Sequence, residues 1–243
     1  MLKTFRKAFQ VADIRKKIFY TFMMLVVIRI GSQLPTPGVD PTYIQNFFES
    51  QTGEAFNFFN AFTGGSFTQM SVFALSITPY ITSSIIMQLL TIAIPKLEEM
   101  QKDGEDGRKK IAAITRYVTV ALALIESTAM AVGFGRQGLL VDFNFVNAAV
   151  VVVTLTAGSA FLMWIGERIN EKGVGNGISI VLLINIISRV PDDFVTLYNQ
   201  FMKRQRALLP QVLAAVIILA IILVVVVFVL FFKMDRERSL FSI

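Results

Sequence analysis

The chain is 243 residues long, 54% hydrophobic and only 16% charged, with a mean hydropathy of +0.63; that balance excludes an ordinary soluble domain and marks an integral membrane protein. It has no cysteine and no histidine, which excludes disulfides, thiolate metal sites, thiol nucleophiles and histidine-based acid–base or zinc chemistry. With no G-x-S-x-G motif in its apolar spans, no enzymatic activity and no cofactor or metal is expected. The net charge of +6 invites a nucleic-acid reading, but in a polytopic chain the distribution of charge outweighs its total, and no direct nucleic-acid partner is expected.

In chain order, a basic segment, residues 1–17, precedes a first apolar span at 18–34. Its basic flank resembles a signal peptide, but no A-x-A-like cleavage site follows, so it reads as a retained helix. Further apolar stretches at 71–94, 111–134, 146–166, 177–190 and 210–232 approach the length that crosses about 30 Å of hydrocarbon. Six spanning helices are predicted; the fifth is short unless the glycines before it or the residues after Pro191 extend it.

Between the first two spans lies a segment without Lys or Arg that carries Phe47, Phe48, Phe56, Phe58, Phe59, Phe62 and Phe67. Residues 56–67, with Gly64-Gly65 near their end, are too few to span and suit a re-entrant piece. Such backbone is tolerated at membrane depth only where protein buries it or where it lines a watery cavity. An amphipathic helix on the outer surface is the alternative. The second span contains Pro79, expected to kink it and free a carbonyl, and the polar residues Thr78, Thr82, Ser83, Ser84 and Gln88. These either bind a neighbouring helix or line a pore. Ile77 and Ile81 sit four residues apart, on one helix face.

Two ionisable groups fall inside spans, Arg29 in the first and Glu126 in the third, and such groups are functional candidates. Both count to the outer half, so an ion pair is geometrically open to them; snorkelling of Arg29 to the outer interface is favoured over it. The run Glu171-Lys172-Gly173-Val174-Gly175-Asn176-Gly177-Ile178-Ser179 looks like a phosphate cradle. That reading needs a preceding strand within a soluble βαβ unit, or a following Lys-Ser or Lys-Thr, and the loop instead joins two apolar helices. Ile178 and Leu182 repeat the four-residue spacing.

With the N-terminus inside, seventeen Lys and Arg fall on the cytoplasmic side and five on the other, Lys203, Arg204 and Arg206 among the five. The positive-inside rule then predicts both termini cytoplasmic.

Several of these segments together resemble one family. They are Arg29-Ile30-Gly31-Ser32 with Pro35-Thr36-Pro37-Gly38; Phe58-Phe59-Asn60-Ala61-Phe62-Thr63-Gly64-Gly65; Pro79-Tyr80-Ile81-Thr82-Ser83-Ser84-Ile85-Ile86-Met87-Gln88-Leu89-Leu90; Thr115-Arg116-Tyr117; Phe161-Leu162-Met163-Trp164-Ile165-Gly166-Glu167; and the glycine loop. In this order, over about residues 5 to 232, the chain resembles the SecY family, the central subunit of the bacterial protein-conducting translocon. The resemblance implies an all-α polytopic membrane protein: a first five-helix half over 18–190 with a re-entrant plug at about 55–70, an external loop at 191–209, a sixth helix at 210–232 and a cytoplasmic tail at 233–243.

By resemblance, Phe56, Phe58, Phe59, Asn60, Phe62, Gly64 and Gly65 belong to the plug, and Ile77, Ile81, Ile178 and Leu182 to an aliphatic pore ring. The second and third helices, with Thr78, Pro79, Thr82, Ser83, Gln88 and Glu126, form one side of a lateral gate to lipid. The implied partners are the SecE and SecG subunits, the SecA motor or the ribosome, secretory preproteins with signal sequences, and membrane lipid; the implied location is the bacterial plasma membrane. The charged loop 96–116 reads as a solvated hinge, not a ribosome or motor site.

The departures are these. The family has ten helices in two inverted halves, and this chain is expected to supply six; tail 233–243 lacks the family's basic loop character, and Glu126 stands where an uncharged polar residue is expected. A Lys/Arg bias that fixes one orientation prevents two copies from rebuilding an inverted pair. The expectation is therefore an N-terminal portion that needs a C-terminal half to conduct protein. The competing readings are a small-solute transporter or ion channel, and a membrane assembly factor that conducts nothing.

Overall fold

The computed structural model describes residues 11–50, 60, 62–197, 199, 216 and 220–229. It divides into two compact units, Met1–Arg189 and Val190–Ile243, and is helical; among the described residues the only β pairings are isolated antiparallel bridges, Pro35 with Ser71 and Val39 with Leu140.

Helix α1 is Ala12–Gln33. It stops at Leu34 (φ −82°, ψ 114°) because Pro35 follows and a residue before proline is driven out of the helical region. Helix α2, Pro41–Ser50, begins behind Asp40, whose Oδ1 accepts hydrogen bonds from the Thr42 hydroxyl (2.6 Å) and N–H (2.9 Å). Those two bonds hold the Asp40 carboxyl below the usual carboxylate range.

The second predicted span is regular only as α3, Thr78–Ala93; residues 71–77 form turns. Pro79 therefore sits in the first turn of α3 and does not kink it, since the N–H it lacks is one that no intrahelical acceptor would have reached. The sharp change of direction comes instead at Ile94 (φ −110°, ψ 111°), before Pro95, again by exclusion of a pre-proline residue from the helix. There α3 and α4, Pro95–Lys102, meet at 101°.

Helix α5 is Glu105–Phe134, starting at Gly104 (φ +77°) with Glu105 and Asp106 in its first turn, where the helix dipole favours acids. Its buried stripe runs Thr115, Thr119, Ala123, Ser127, Ala131. Small residues every fourth position let neighbouring backbones approach closely, the usual packing of membrane helices. A π-turn, Gly135–Leu139, ends it. Helix α6 is Phe145–Lys172 and α7 is Gly177–Leu197, so the fifth span runs through Pro191 into the residues predicted as external loop. Within the second unit, Ala220–Val229 is an apolar helix (α8); the rest of the predicted sixth helix, except Val216, lies outside the described residues, as do most of 1–17 and the whole tail.

Among the described residues, two helical runs are long and apolar enough to cross a membrane, Glu105–Leu139 and Phe145–Lys172, and three if the bent α3–α4 pair counts as one span. Helices α1 and α7 reach 22 and 21 residues, but Arg15, Lys16 and Lys17 at one end and Arg189, Asp192 and Asp193 at the other shorten their apolar stretch. Outward faces are apolar: Phe19, Leu89, Ile92, Ile125 and Val153 are all exposed, a pattern that suits lipid contact. The charged run 96–116 is solvated, with exposed ion pairs Lys102–Glu98 and Lys109–Glu105, but it is mostly helix and not a loop.

Two apolar clusters lie inside the first unit. One gathers Phe67, Met70 and Leu75 with Ala123 and Ala131 of α5 and Val151 and Leu155 of α6. The other gathers Ile28 of α1, Phe73, Ile77, Leu162, Ile165 and Ile169 of α6, and Val181 of α7.

Candidate functional site

The four isoleucine and leucine residues singled out by spacing meet in the second cluster. Ile77 stands at the N-terminal boundary of α3 and is fully buried; Ile81, Ile178 and Leu182 are half-buried against the same group. The Ile81 N–H donates to the Ile77 carbonyl at 3.1 Å, which sets the two side chains one turn apart. A Cβ placed on Gly166 would lie 3.6 Å from both Ile77 Cδ1 and Ile178 Cγ1, so α6 presents bare backbone where these residues from α3 and α7 converge.

The glycine loop puts Ile178 there. At its entry the Gly173 N–H donates to the Ile169 carbonyl at 2.8 Å, and Gly175 takes φ +77°, which glycine tolerates without steric cost. Asn176 caps α7: its Oδ1 accepts from the N–H groups of Ile178 (3.1 Å) and Ser179 (3.3 Å). Asn170 Oδ1 accepts from the Gly177 N–H at 2.7 Å, and Thr21 Oγ1 of α1 accepts from the Val174 N–H at 3.0 Å. A Cβ at Gly177 would fall 1.9 Å from the Gly166 carbonyl oxygen; only glycine permits this backbone contact between α6 and α7. Glu171 pairs with Arg168 at 2.6 Å on the exposed flank.

Beside the cluster lies the described part of the aromatic segment. Asn60, Thr63, Gly65, Ser66, Phe67 and Met70 are buried, so this part is enclosed by protein and does not lie on the surface as an amphipathic helix would. Phe62 is half-buried and Gly64 takes φ +66°. The segment's first three named phenylalanines, Phe56, Phe58 and Phe59, lie outside the described residues.

The polar residues of α3 divide. Ser83 is buried and shares a hydrogen bond of 2.5 Å with Thr119 of α5, so it binds a neighbouring helix. Thr82 and Gln88 are exposed, Thr78 is half-buried and Pro79 buried. Gln88 lines, with Tyr80, Ser84, Thr91, Arg108 and Thr115, a cleft of about 340 Å³ between α3, α4 and α5. Further along the same buried stripe of α5, Ser127 bonds Thr156 of α6 at 2.9 Å, and Arg116 of α5 bonds Glu167 of α6 at 2.7 Å. Arg29 and Glu126 do not meet: among the described residues neither enters an ion pair, and Arg29 Nη1 is buried with no hydrogen-bond partner. Arg29 lines an apolar groove with Phe22, Leu25, Val26, Ile30 and Ile184.

The sequence motifs contained Gly166 and Asn176 without showing their roles, and Asn170, Thr21 and the hydrogen-bonded pair Ser76–Asn185 were not singled out. Asn176 carried a signal, an asparagine directly before an apolar helix. Asn185 carried a weaker one, an amide inside a span. The others depend on chain segments that sequence spacing does not bring together.

A SecY family model matches residues 71–238. Similar curated proteins include the protein translocase subunits SecY of Corynebacterium glutamicum, 46% identical over 198 residues (77% of this chain, 45% of that protein); of Escherichia coli K12, 40% over 209 (84% and 47%); and of Bacillus subtilis 168, 44% over 203 (82% and 46%). The chain spans about half the length of these relatives. Two solved structures match in fold at 18% identity, each over 77% of this chain and 38% of theirs: a protein conducting channel, TM-score 0.50, and Sec61 in the canine ribosome-channel complex from the endoplasmic reticulum, TM-score 0.51.

Proposed function

The chain belongs to the SecY family, and from that membership we propose that it is the N-terminal portion of a protein-conducting channel subunit, passing unfolded secretory polypeptides across a membrane and apolar segments sideways into it. The observation that carries this reading is the convergence of Ile77, Ile81, Ile178 and Leu182 on one apolar cluster. Branched aliphatic side chains around a constriction exclude water and ions by dewetting when it is empty. They also offer no hydrogen bond that would hold a polypeptide in transit.

In this reading the four residues are part of a pore ring, and the segment at about 55–70, with Asn60, Phe62, Gly64 and Gly65 in its described part, is the plug over it. Helices α3 and α5, with Thr78, Pro79, Thr82, Ser83, Gln88 and Glu126, form one wall of a lateral gate. Opening of that gate then depends on the hydrophobicity of the passing segment, which partitions between channel and lipid. The Lys/Arg bias supports both termini being cytoplasmic, and the bacterial relatives support a plasma-membrane location. The partners follow from the family: SecE and SecG, SecA or the ribosome, and preproteins with signal sequences. A channel of this kind has two inverted halves, so conduction is assigned to this chain together with a C-terminal half.

The test is electrical. In planar bilayers, the assembled channel carrying Ile81→Ser and Ile178→Ser is expected to leak small ions at rest, because two hydroxyls wet the constriction. A resting conductance equal to that of the unaltered channel would remove both residues from the ring.

A further inference from the structure

The aromatic segment ends in turns that rest on α7. Gly64, at φ +66°, comes so close to Asn185 that a Cβ there would lie 2.8 Å from the Asn185 carbonyl oxygen; a Cβ on Gly65 would lie 3.2 Å from Arg189 Nη1. Further along, Ser76 takes φ +53°, a left-handed conformation that L-residues with a Cβ rarely adopt. Its hydroxyl oxygen accepts a hydrogen bond from Asn185 Nδ2 at 3.1 Å. Both residues are buried, 2% and 3% exposed, so parting them would strand an amide and a hydroxyl away from water.

Ser76 directly precedes Ile77, and Asn185 follows Leu182 by one turn of α7. Asn185 thus touches the base of the aromatic segment through its own backbone, against Gly64, and the start of α3 through its amide, on Ser76. We infer that Asn185 is a positioning residue, a latch that holds the aromatic segment and the entry to α3 against α7 and so sets the threshold for displacing that segment. The inference rests on reading the segment as the plug.

The chain has no cysteine, so Ser66→Cys, at a site 2% exposed, gives a single reporter thiol. In the assembled channel in lipid vesicles, its rate of reaction with a water-soluble maleimide reports lifting of the segment. Asn185→Leu keeps the side-chain bulk and loses the amide. Ser76→Gly loses the hydroxyl but suits the left-handed backbone better than serine.

Each variant is expected to speed labelling, on the order of tenfold for one buried hydrogen bond, and the double variant no more than either alone, because both remove the same bond. Ser76→Gly is expected to do so without lowering the thermal midpoint, an outcome that a role confined to packing would not produce. Parental labelling rates in both single variants, or a double variant that multiplies their effects, would overturn the latch. Resting conductance separates the two readings: faster labelling with unchanged conductance refutes the plug and leaves the latch, whereas parental labelling with unchanged conductance refutes the latch and leaves the plug.

Discussion

Gly177 and Gly133 form a matched pair. A Cβ at Gly177 would lie 1.9 Å from the Gly166 carbonyl oxygen, while one at Gly133 meets nothing within 4 Å. Gly177→Ala therefore forces backbone apart and is expected to cost about 1–3 kcal/mol, read as a lower thermal midpoint in detergent. Gly133→Ala, in the exposed last turn of α5, is expected to raise stability by up to about 1 kcal/mol. Equal effects would mean that the α6–α7 contact does not set the glycine requirement. At this scale the four-residue spacing of Ile77 with Ile81 and of Ile178 with Leu182 was legible, since helical periodicity alone puts each pair on one face. What was not legible is that both pairs meet across Gly166, or that Arg29 and Glu126 stay apart. Those are outcomes of how α1, α5, α6 and α7 pack, and no local pattern carries them.

The limits of the elements follow proline chemistry. Pro35 and Pro95 end α1 and α3 by excluding Leu34 and Ile94 from helical geometry. Pro79 was expected to break a span and instead begins one, because the turns at 71–77 leave it in a first turn. Its environment depended on where the helix started, and that is fixed by tertiary contacts such as the Thr36 N–H to Met70 carbonyl bond at 2.9 Å. Pro191 lies inside α7, contrary to the expected loop. The seam between α3 and α5 can be measured directly. A double-mutant cycle of Ser83→Ala and Thr119→Val, scored by unfolding in mixed micelles, is expected to return a coupling of roughly 0.6 to 2 kcal/mol. A coupling of zero would show that the 2.5 Å contact contributes no more to the seam than van der Waals packing does.

For the whole molecule, the charge asymmetry predicts which ends of α5 face which compartment. Its 30 residues extend about 45 Å, more than the hydrocarbon thickness, so Asp103 and Asp142 fall on opposite sides. Asp103→Cys is expected to react with an impermeant maleimide only from the cytoplasmic side, and Asp142→Cys only from outside; labelling of both from one side would refute the assigned orientation. The family and the helical membrane class were legible from composition and from motifs in order, because hydropathy is a sum over many residues and survives local surprises.

The backbone contact of Gly166 with Gly177, with the Thr21 bond to Val174 next to it, also makes a fulcrum. Helix α7 is pinned at its first residue, so any tilt there is amplified along it, and Asn185 stands eight residues along, about 12 Å from the pivot. A tilt of about 10° at the pivot carries Asn185 sideways by about 2 Å, far enough to take its amide out of hydrogen-bonding range of Ser76. Ile178, one residue from the fulcrum, hardly moves. The lever is thus graded along its length: Ile178 stays nearly in place, Leu182 shifts by about 1 Å, and the bond from Asn185 to Ser76 is the first to be released.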